Sequence, residues 1–378
     1  MKGCRWLLIL WMIYLAPVQL KGQDFGNHSE NRLPWIVGSR LHTGYVINHR
    51  NTMKILNEKN PGAIEITIAR ATNGEKPWQS FYRNPHYSAT FMMFDLGSPS
   101  YLGKAYCVYP SLHFFLIGEH RRVSMNMQFG AGIAYVEKIF NRIDNYKNTS
   151  ISTHLNAFLA YRMEGRVKIA EPLYLSGGWA FSHVSNGTVR KPNAGLNYLT
   201  AFAGAGYLFG KEKQTSQISN TYNNMDRKWH YTVYLSGGVK SYTVDDDTKF
   251  AASGLSFEVS ASHFAFTRAN ASLELFYDTS DYAYLVNQDS DDDEEKNLTK
   301  IQTLKPAFSA GYVFLFGSLS ANVQIGRYFY AQNQRYGIIY QRMALGYEVV
   351  NRLNIRLALK THWGQADYVE LALGYKIR

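Results

Sequence analysis

Residues 62–70 read Gly-Ala-Ile-Glu-Ile-Thr-Ile-Ala-Arg, and this stretch decides the fold class. The apolar side chains Ile64, Ile66 and Ile68 alternate with small, polar or charged residues. Successive side chains on a β-strand point to opposite faces of the sheet. The alternation therefore predicts a strand with one strongly apolar face.

The same alternation recurs in about sixteen segments between residues 34 and 377, and helical spacing is nearly absent. Several segments run well past ten residues, which suits tilted strands that cross a bilayer and continue into solvent. Lipid cannot satisfy an open sheet edge, so membrane-spanning strands must close into a barrel. We therefore predict an all-β fold, namely a closed antiparallel outer-membrane β-barrel of about 14–16 strands, as one transmembrane domain over residues 23–378.

Composition supports this prediction. Aromatic residues make up 15% of the chain and charged residues only 18%, against about 25% charged residues in an average soluble domain. Aromatic side chains cluster at the ends of predicted strands, as in Phe81, Tyr82, Tyr328 and Phe329. Aromatic girdles at the two membrane interfaces have this pattern, whereas a soluble β-sandwich or propeller would present a polar outer face.

The N-terminus predicts export. Lys2 and Arg5 precede an apolar run from Trp6 to Ala16. This order is typical of a secretory signal peptide, which we place at residues 1–22. After it, no apolar run reaches the ~18 residues that a spanning helix needs. The full chain carries a formal net charge of +11, which suggests anionic partners such as lipid head groups. We expect no nucleic-acid partner, because nothing in the chain resembles a recognition helix.

Residues 177–199 carry the candidate chemistry, in the order strand, polar turn, strand. Residues i and i+2 of a strand share a face, so His183 and Ser185 are expected side by side, with about 6.6 Å of backbone rise between them. An imidazole beside a hydroxyl is the pair that an activated serine nucleophile requires. Asn197, on the returning strand, would orient the imidazole, a role that Asn fills in some catalytic triads.

The face that carries this pair also carries Trp179 and Phe181. In a barrel the large apolar face looks at lipid, and a periplasmic N-terminus places this strand end outside the cell. A hydroxyl and an imidazole on a lipid face are costly unless they function there. The expected substrate is therefore an acyl chain of an outer-leaflet lipid, with the active site at the extracellular lipid boundary of a bacterial outer membrane.

The polar turn between the two strands holds the predicted supporting residues. Asn186 and Asn193 could supply side-chain donors to an oxyanion. Arg190 and Lys191 would meet phosphate groups of the substrate.

Residues 183–193 resemble the active-site hairpin of the PagL-type lipid A 3-O-deacylases, a family of outer-membrane barrels, in a His-x-Ser-Asn motif followed by Pro-Asn. The resemblance implies that His183 is the general base, that Ser185 is the nucleophile, and that the two asparagines shape the oxyanion site. It also implies a serine esterase that removes an ester-linked acyl chain from lipid A, without a metal or other cofactor, and so remodels lipopolysaccharide. The family has an acidic residue where this chain has Asn197.

Two alternatives stay open. The amide of Asn197 and the His-x-Ser-Asn-Gly motif are similar to outer-membrane phospholipase A, which implies a phospholipase-like esterase that uses Ca²⁺. The chain could also be non-enzymatic: either a porin or structural barrel in which the motif is accidental, or an inactive relative that binds lipid A without cleaving it because the acidic residue is missing. The sequence leaves the acyl position and the oligomeric state open.

Overall fold

The computed structural model of the chain describes residues 34–118, 121–210, 228–244, 248–289 and 299–377. The predicted signal peptide, residues 1–22, lies outside the described residues. Sixteen strands occur in the described ranges, and every neighbouring pair is antiparallel. The prediction of an all-β, closed and antiparallel fold is confirmed.

The first eight strands close on themselves as the N-terminal barrel. Its strands are β1 (Trp35–Val46), β2 (Gly62–Arg70), β3 (His86–Ser98), β4 (Gly103–Ile117), β5 (Val123–Val136), β6 (Leu155–Ala170), β7 (Leu173–Ser185) and β8 (Leu196–Phe209). Closure is made by β8, which pairs with β1 from Trp35 opposite Phe209 to Val46 opposite Tyr198.

The remaining eight strands form the C-terminal barrel, which is also closed. Its strands are β9 (Trp229–Ser241), β10 (Lys249–Phe264), β11 (Thr267–Asp278), β12 (Lys305–Phe316), β13 (Leu319–Tyr328), β14 (Ile339–Val350), β15 (Leu353–His362) and β16 (Gln365–Lys376). Here β16 closes on β9.

The expectation of one barrel over residues 23–378 is therefore corrected to two barrels of eight strands each. The physical reason is that β8 finds its second partner in β1, which leaves no edge on which β9 could continue the sheet. Residues 210–228, which are long for a turn between paired strands, connect the two barrels in the chain.

The outer faces of both barrels are apolar, as membrane strands require. On β2, Ile64, Ile66 and Ile68 are 45–50% exposed, while Glu65 and Thr67 between them are buried in the interior. The alternation that the sequence shows in this strand therefore separates side chains on the outer face of the barrel from side chains in its interior.

The interiors are filled by paired charges. In the N-terminal barrel, Arg40 Nη1 lies 2.9 Å from Glu65 Oε1, and Arg40 Nη2 lies 2.6 Å from Glu164 Oε1. In the C-terminal barrel, Arg356 Nη1 lies 3.2 Å from Glu258 Oε2. An eight-stranded barrel is just wide enough for side chains to fill, so the water-filled lumen of a large porin is not formed.

Short helices occur in the connections. They are the 3₁₀ helices Asn51–Leu56 and Lys300–Thr303, and the α-helices α1 (Pro77–Phe81) and α2 (Thr279–Asp289). In the described part of the chain no helix has the length and apolarity to cross a bilayer.

The barrels contact each other near α1, in the connection between β2 and β3. The ring of Trp78 packs on Phe316 at a centroid distance of 6.1 Å, and the ring of Phe81 on Phe266 at 5.5 Å. The hydroxyl of Tyr82 donates a hydrogen bond to the Phe266 carbonyl at 2.9 Å. A second contact, at the opposite strand ends, involves the candidate site itself.

Candidate active site

The hairpin of β7 and β8 holds the predicted catalytic residues. β7 ends at Ser185, β8 begins at Leu196, and residues 186–195 form the β7–β8 loop. The register places His183 opposite Asn197, and side chains of directly opposite residues contact each other. Ser185 follows His183 by two residues and so lies on the same face.

These three side chains form a continuous hydrogen-bonded chain. His183 Nε2 lies 2.9 Å from Ser185 Oγ, and His183 Nδ1 lies 2.7 Å from Asn197 Oδ1. An amide oxygen only accepts, so His183 Nδ1 carries the proton and Nε2 keeps its lone pair for the serine hydroxyl. This is the tautomer that a general base acting on a serine needs.

A fourth residue that the sequence analysis did not identify, His49, contacts Asn197. The Asn197 Nδ2 atom lies 3.3 Å from His49 Nδ1, and His49 Nε2 lies 2.9 Å from the carbonyl oxygen of Ala194. His49 follows β1 and lies 148 positions from Asn197 in the chain. Only the closure of β1 on β8 brings the two together, so no local pattern could have identified His49.

The two predicted oxyanion residues occupy different positions. Both N–H groups of the Asn186 amide are engaged, one with Ser152 Oγ at 3.0 Å and one with the Arg190 carbonyl at 2.9 Å. This amide braces the loop, and a direct role of Asn186 at the oxyanion stays a prediction. Asn193 Oδ1 accepts from the Asn186 backbone N–H at 3.2 Å, and Asn193 Nδ2 makes no hydrogen bond with any described residue.

The two basic residues of the loop also differ. Lys191 Nζ donates to the carbonyl oxygen of Tyr242, in the C-terminal barrel, at 2.7 Å. Burial, together with the positive charges of Arg335 and Lys240, lowers the pKa of Lys191 to about 8. The Arg190 carbonyl accepts hydrogen bonds within the N-terminal barrel, and its side chain is half-buried.

Gly195 lets the returning strand approach the imidazole closely. It has φ of +74°, and a Cβ there would lie 3.1 Å from His183 Cε1 and 3.4 Å from Ser185 Cβ. Any side chain would therefore press on the base and the nucleophile together.

On the same outward face of β7, Trp179 is exposed and Phe181 is half-buried, which makes an apolar wall beside the catalytic residues.

The C-terminal barrel binds the β7–β8 loop directly. The backbone N–H of Ser241 donates to the Thr188 carbonyl at 2.9 Å, and its hydroxyl donates to the Val189 carbonyl at 3.0 Å. The Thr188 hydroxyl donates to the Ala366 carbonyl at 2.9 Å, and Lys249 Nζ donates to the Val189 carbonyl at 2.9 Å. The loop that follows Ser185 is thus held between both barrels.

Gly187 makes this contact sensitive to one methyl group. It has φ of +62°, and a Cβ there would lie 2.3 Å from Val369 Cγ2 on β16. Overpacking of this kind costs about 1–3 kcal/mol, and a non-glycine residue with positive φ adds about 1 kcal/mol.

We expect Gly187→Ala to lower kcat/KM about tenfold by displacing the loop. Adding Val369→Ala, which removes the clashing methyl, should restore part of the loss in a double-mutant cycle; no recovery would contradict this explanation.

Family comparisons agree with the division into barrels. A lipid A 3-O-deacylase (PagL) family model matches residues 63–206, and an acyloxyacyl hydrolase C-terminal domain model matches residues 229–378. Together the two matches cover well over half of the chain. The chain belongs to the lipid A 3-O-deacylase family. The resemblance inferred from the hairpin is confirmed, and with it the assignment to a family of ester hydrolases.

Solved structures to which this chain is similar include Neisserial surface protein A, at 9% identity and a TM-score of 0.33, covering 46% of this chain and 96% of that one. A mutant porin of Rh. blastica matches at 8% identity and a TM-score of 0.18, covering 92% and 100%. The Acinetobacter baumannii outer membrane protein Omp33 matches at 8% identity and a TM-score of 0.18, covering 92% of this chain and 99% of that one. No curated protein sequence matches the chain.

The deacylase match ends at residue 206, three residues before the end of β8, and so contains β7, the β7–β8 loop and most of β8. Within the matched range, the amide of Asn197 accepts the hydrogen bond from His183 Nδ1. Among the described residues there is no group of three or more His, Cys, Asp or Glu side chains that could hold a metal ion.

Proposed function

We propose that this chain is an outer-membrane serine esterase that removes an ester-linked acyl chain from lipid A, with Ser185 as nucleophile. The observation that carries the proposal is the hydrogen-bonded chain from Ser185 Oγ through His183 to Asn197 Oδ1. Membership of the lipid A 3-O-deacylase family supplies the substrate class.

The proposed reaction has two stages. Ser185 Oγ attacks the ester carbonyl carbon while His183 Nε2 takes the hydroxyl proton. The tetrahedral intermediate collapses, the ester C–O bond breaks, and His183 returns the proton to the sugar oxygen as it leaves. Water, deprotonated by the same imidazole, then releases the fatty acid from Ser185. Asn197 keeps the ring in the tautomer that each step needs.

The oxyanion needs donors close to the reacting carbonyl. We assign this role to the Asn193 Nδ2 group, because the Asn193 oxygen is anchored by the Asn186 backbone and its amide nitrogen is available. One such donor is worth roughly 3 kcal/mol in comparable sites. Asn186 supports the loop that presents it.

The proposed location of the active site is supported by the two faces of β7. The catalytic residues lie on the outward face of β7, in line with Trp179 and Phe181, and an outward apolar face is the one that meets lipid. We infer that the acyl chain lies against this wall at the extracellular boundary of the outer membrane. The basic residues Arg190 and Lys191 lie in the adjoining loop, on the side where the phosphorylated head group of the lipid would be.

The test is mass spectrometry of lipid A and phospholipids from cells that express the wild type, Ser185→Ala or Ser182→Ala. Ser182 is a buried serine three residues away on the opposite face of β7, so Ser182→Ala is a matched control. We expect lipid A to lose one hydroxyacyl chain with the wild type and with the control variant only.

Two other outcomes would argue against the deacylation of lipid A. Lysophospholipid in place of deacylated lipid A would move the chain to the phospholipase class, which the amide of Asn197 favours. Unchanged lipids in all three strains, with equal amounts of folded protein in the membrane, would contradict the proposed function.

A further inference from the structure

The cleft between the β7–β8 loop and the C-terminal barrel contains two cations that share one aromatic neighbour. Lys191 and Arg335 both line it. Lys191 Nζ lies 6.0 Å from the centre of the Tyr242 ring, and Arg335 Cζ lies 5.4 Å from it. Arg335 also lies 5.8 Å from the ring of Tyr284 and 5.4 Å from that of Tyr336. Three rings therefore hold this guanidinium in place.

The carboxylates of the cleft are already used by other cations. Lys240 Nζ lies 2.6 Å from Asp278 Oδ2 and 2.5 Å from Asp367 Oδ1. Lys305 Nζ lies 2.5 Å from Asp281 Oδ2. In the described ranges, no carboxylate pairs with Lys191 or Arg335. Asp367 attracts Lys191, but its carboxylate is paired with Lys240. Two neighbouring like charges with no carboxylate partner of their own among the described residues favour the binding of an anion.

We propose that Lys191 and Arg335 bind a phosphate monoester on the sugar head group of the lipid substrate. The substrate class rests on the proposed deacylase function. The cleft begins at Thr188, three residues beyond Ser185, so a head group held there would leave its acyl chains beside the outer wall of β7. A guanidinium is well suited to phosphate because its N–H groups match two oxygens at once. The C-terminal barrel thereby contributes to substrate binding as well as to loop support.

The experiment measures binding to the purified full-length Ser185→Ala protein, so that it does not depend on turnover. The probes are lipid A with its phosphates and lipid A from which they have been removed. We expect Arg335→Gln, added to this background, to weaken binding of the phosphorylated lipid about tenfold and to reduce the preference for it. The control is Lys300→Gln, an exposed charge on the segment before β12.

Three results would overturn the proposal: no preference for phosphorylated lipid A, an unchanged preference in Arg335→Gln, or equal competition by vesicles of anionic phospholipid. Hydrolysis by the wild-type protein is measured in parallel. Its absence would contradict the proposed function, while the binding comparison would still decide whether the phosphate site exists.

A separate observation concerns His49. A carbonyl oxygen only accepts, so the 2.9 Å contact of His49 Nε2 with the Ala194 carbonyl places the proton on Nε2. In the neutral ring Nδ1 is then an acceptor, and it faces the N–H₂ side of the Asn197 amide at 3.3 Å. This leaves the Asn197 oxygen directed at His183 Nδ1.

We infer that His49 is a positioning residue that prevents the Asn197 amide from turning over. A reversed amide would direct its N–H₂ group at His183 Nδ1 and stabilise the wrong imidazole tautomer, in which the base has no lone pair for Ser185. A carboxylate at position 197 would not need this control, because its two oxygens are both acceptors. A triad with an amide at this position therefore needs a neighbouring side chain that fixes the amide orientation, whereas a triad with a carboxylate does not.

This inference makes a prediction about a double-mutant cycle. His49→Ala should lower kcat about three- to tenfold, the worth of one hydrogen bond, and should have a much smaller effect in the Asn197→Asp background. His49→Gln, whose amide offers both a donor and an acceptor, should retain more kcat than His49→Leu. Equal losses in both backgrounds would mean that His49 only anchors Ala194 and would overturn the inference, as would an unchanged kcat in His49→Ala.

Discussion

Replacement of His183 by alanine is expected to lower kcat for lipid A deacylation by about 10⁴-fold or more. In comparable triads, removal of the general base costs about 10⁶ in kcat, and what remains comes from the oxyanion donors and substrate binding. Because the imidazole acts on the Ser185 proton and makes no proposed contact with the ground-state lipid, KM should change little. The measurement is steady-state kinetics of the full-length protein in mixed micelles.

The control for this prediction is His263→Ala. His263 is an exposed histidine of β10 whose Nδ1 lies 3.1 Å from the Tyr312 hydroxyl, in the other barrel. Wild-type kcat in His263→Ala with loss in His183→Ala is the expected pair of results. Comparable activity of His183→Ala and the wild type would exclude His183 as the base.

The second large effect is expected at Asn197. Asn197→Leu keeps the approximate size of the side chain and removes the acceptor for His183 Nδ1–H. Loss of the acidic partner in comparable triads costs about 10⁴ in kcat. A neutral amide gives less stabilisation to the imidazolium, so we expect a smaller loss here, roughly 10²-fold.

Asn197→Asp separates the two functions of this side chain. A carboxylate oxygen accepts the same hydrogen bond and also stabilises the positive imidazolium, so kcat should stay close to or above the wild-type value. Similar large losses in Asn197→Asp and Asn197→Leu would show that the site depends on the amide itself. Wild-type kcat in Asn197→Leu would remove Asn197 from the triad.

The strands and their faces could be predicted because the information is local. The alternation in residues 62–70 specifies which side chains point outward whatever barrel contains the strand. The His183, Ser185 and Asn197 constellation was likewise predictable, because a hairpin brings its two strands together without any information from the rest of the chain.

The number of barrels could not be predicted in the same way. The alternation of apolar and polar residues in a strand is the same whichever strand it pairs with to close the barrel. The pairing of β8 with β1 joins residues that are more than 150 positions apart. His49 was missed for this reason, since it meets Asn197 only across that closure. Arg335 and Ser241 were missed because they belong to the second barrel, whose contact with the β7–β8 loop has no counterpart in local sequence.

The role of Asn186 could not be predicted from the sequence for a different reason. Its residue type and position beside Ser185 suit an oxyanion donor, but the same properties suit a loop brace, and sequence does not distinguish them. In the structure both amide N–H groups have acceptors, within the loop and in the neighbouring strand connection, as a loop brace requires.

The central claim is that Ser185 is an activated nucleophile. Its most direct test is reaction of the full-length protein with a fluorophosphonate, followed by mass spectrometry of the modified peptide. We predict a single adduct on Ser185 that is lost when His183 is replaced by alanine. Absence of labelling at Ser185 in active protein, or labelling that is unchanged in His183→Ala, would contradict the account.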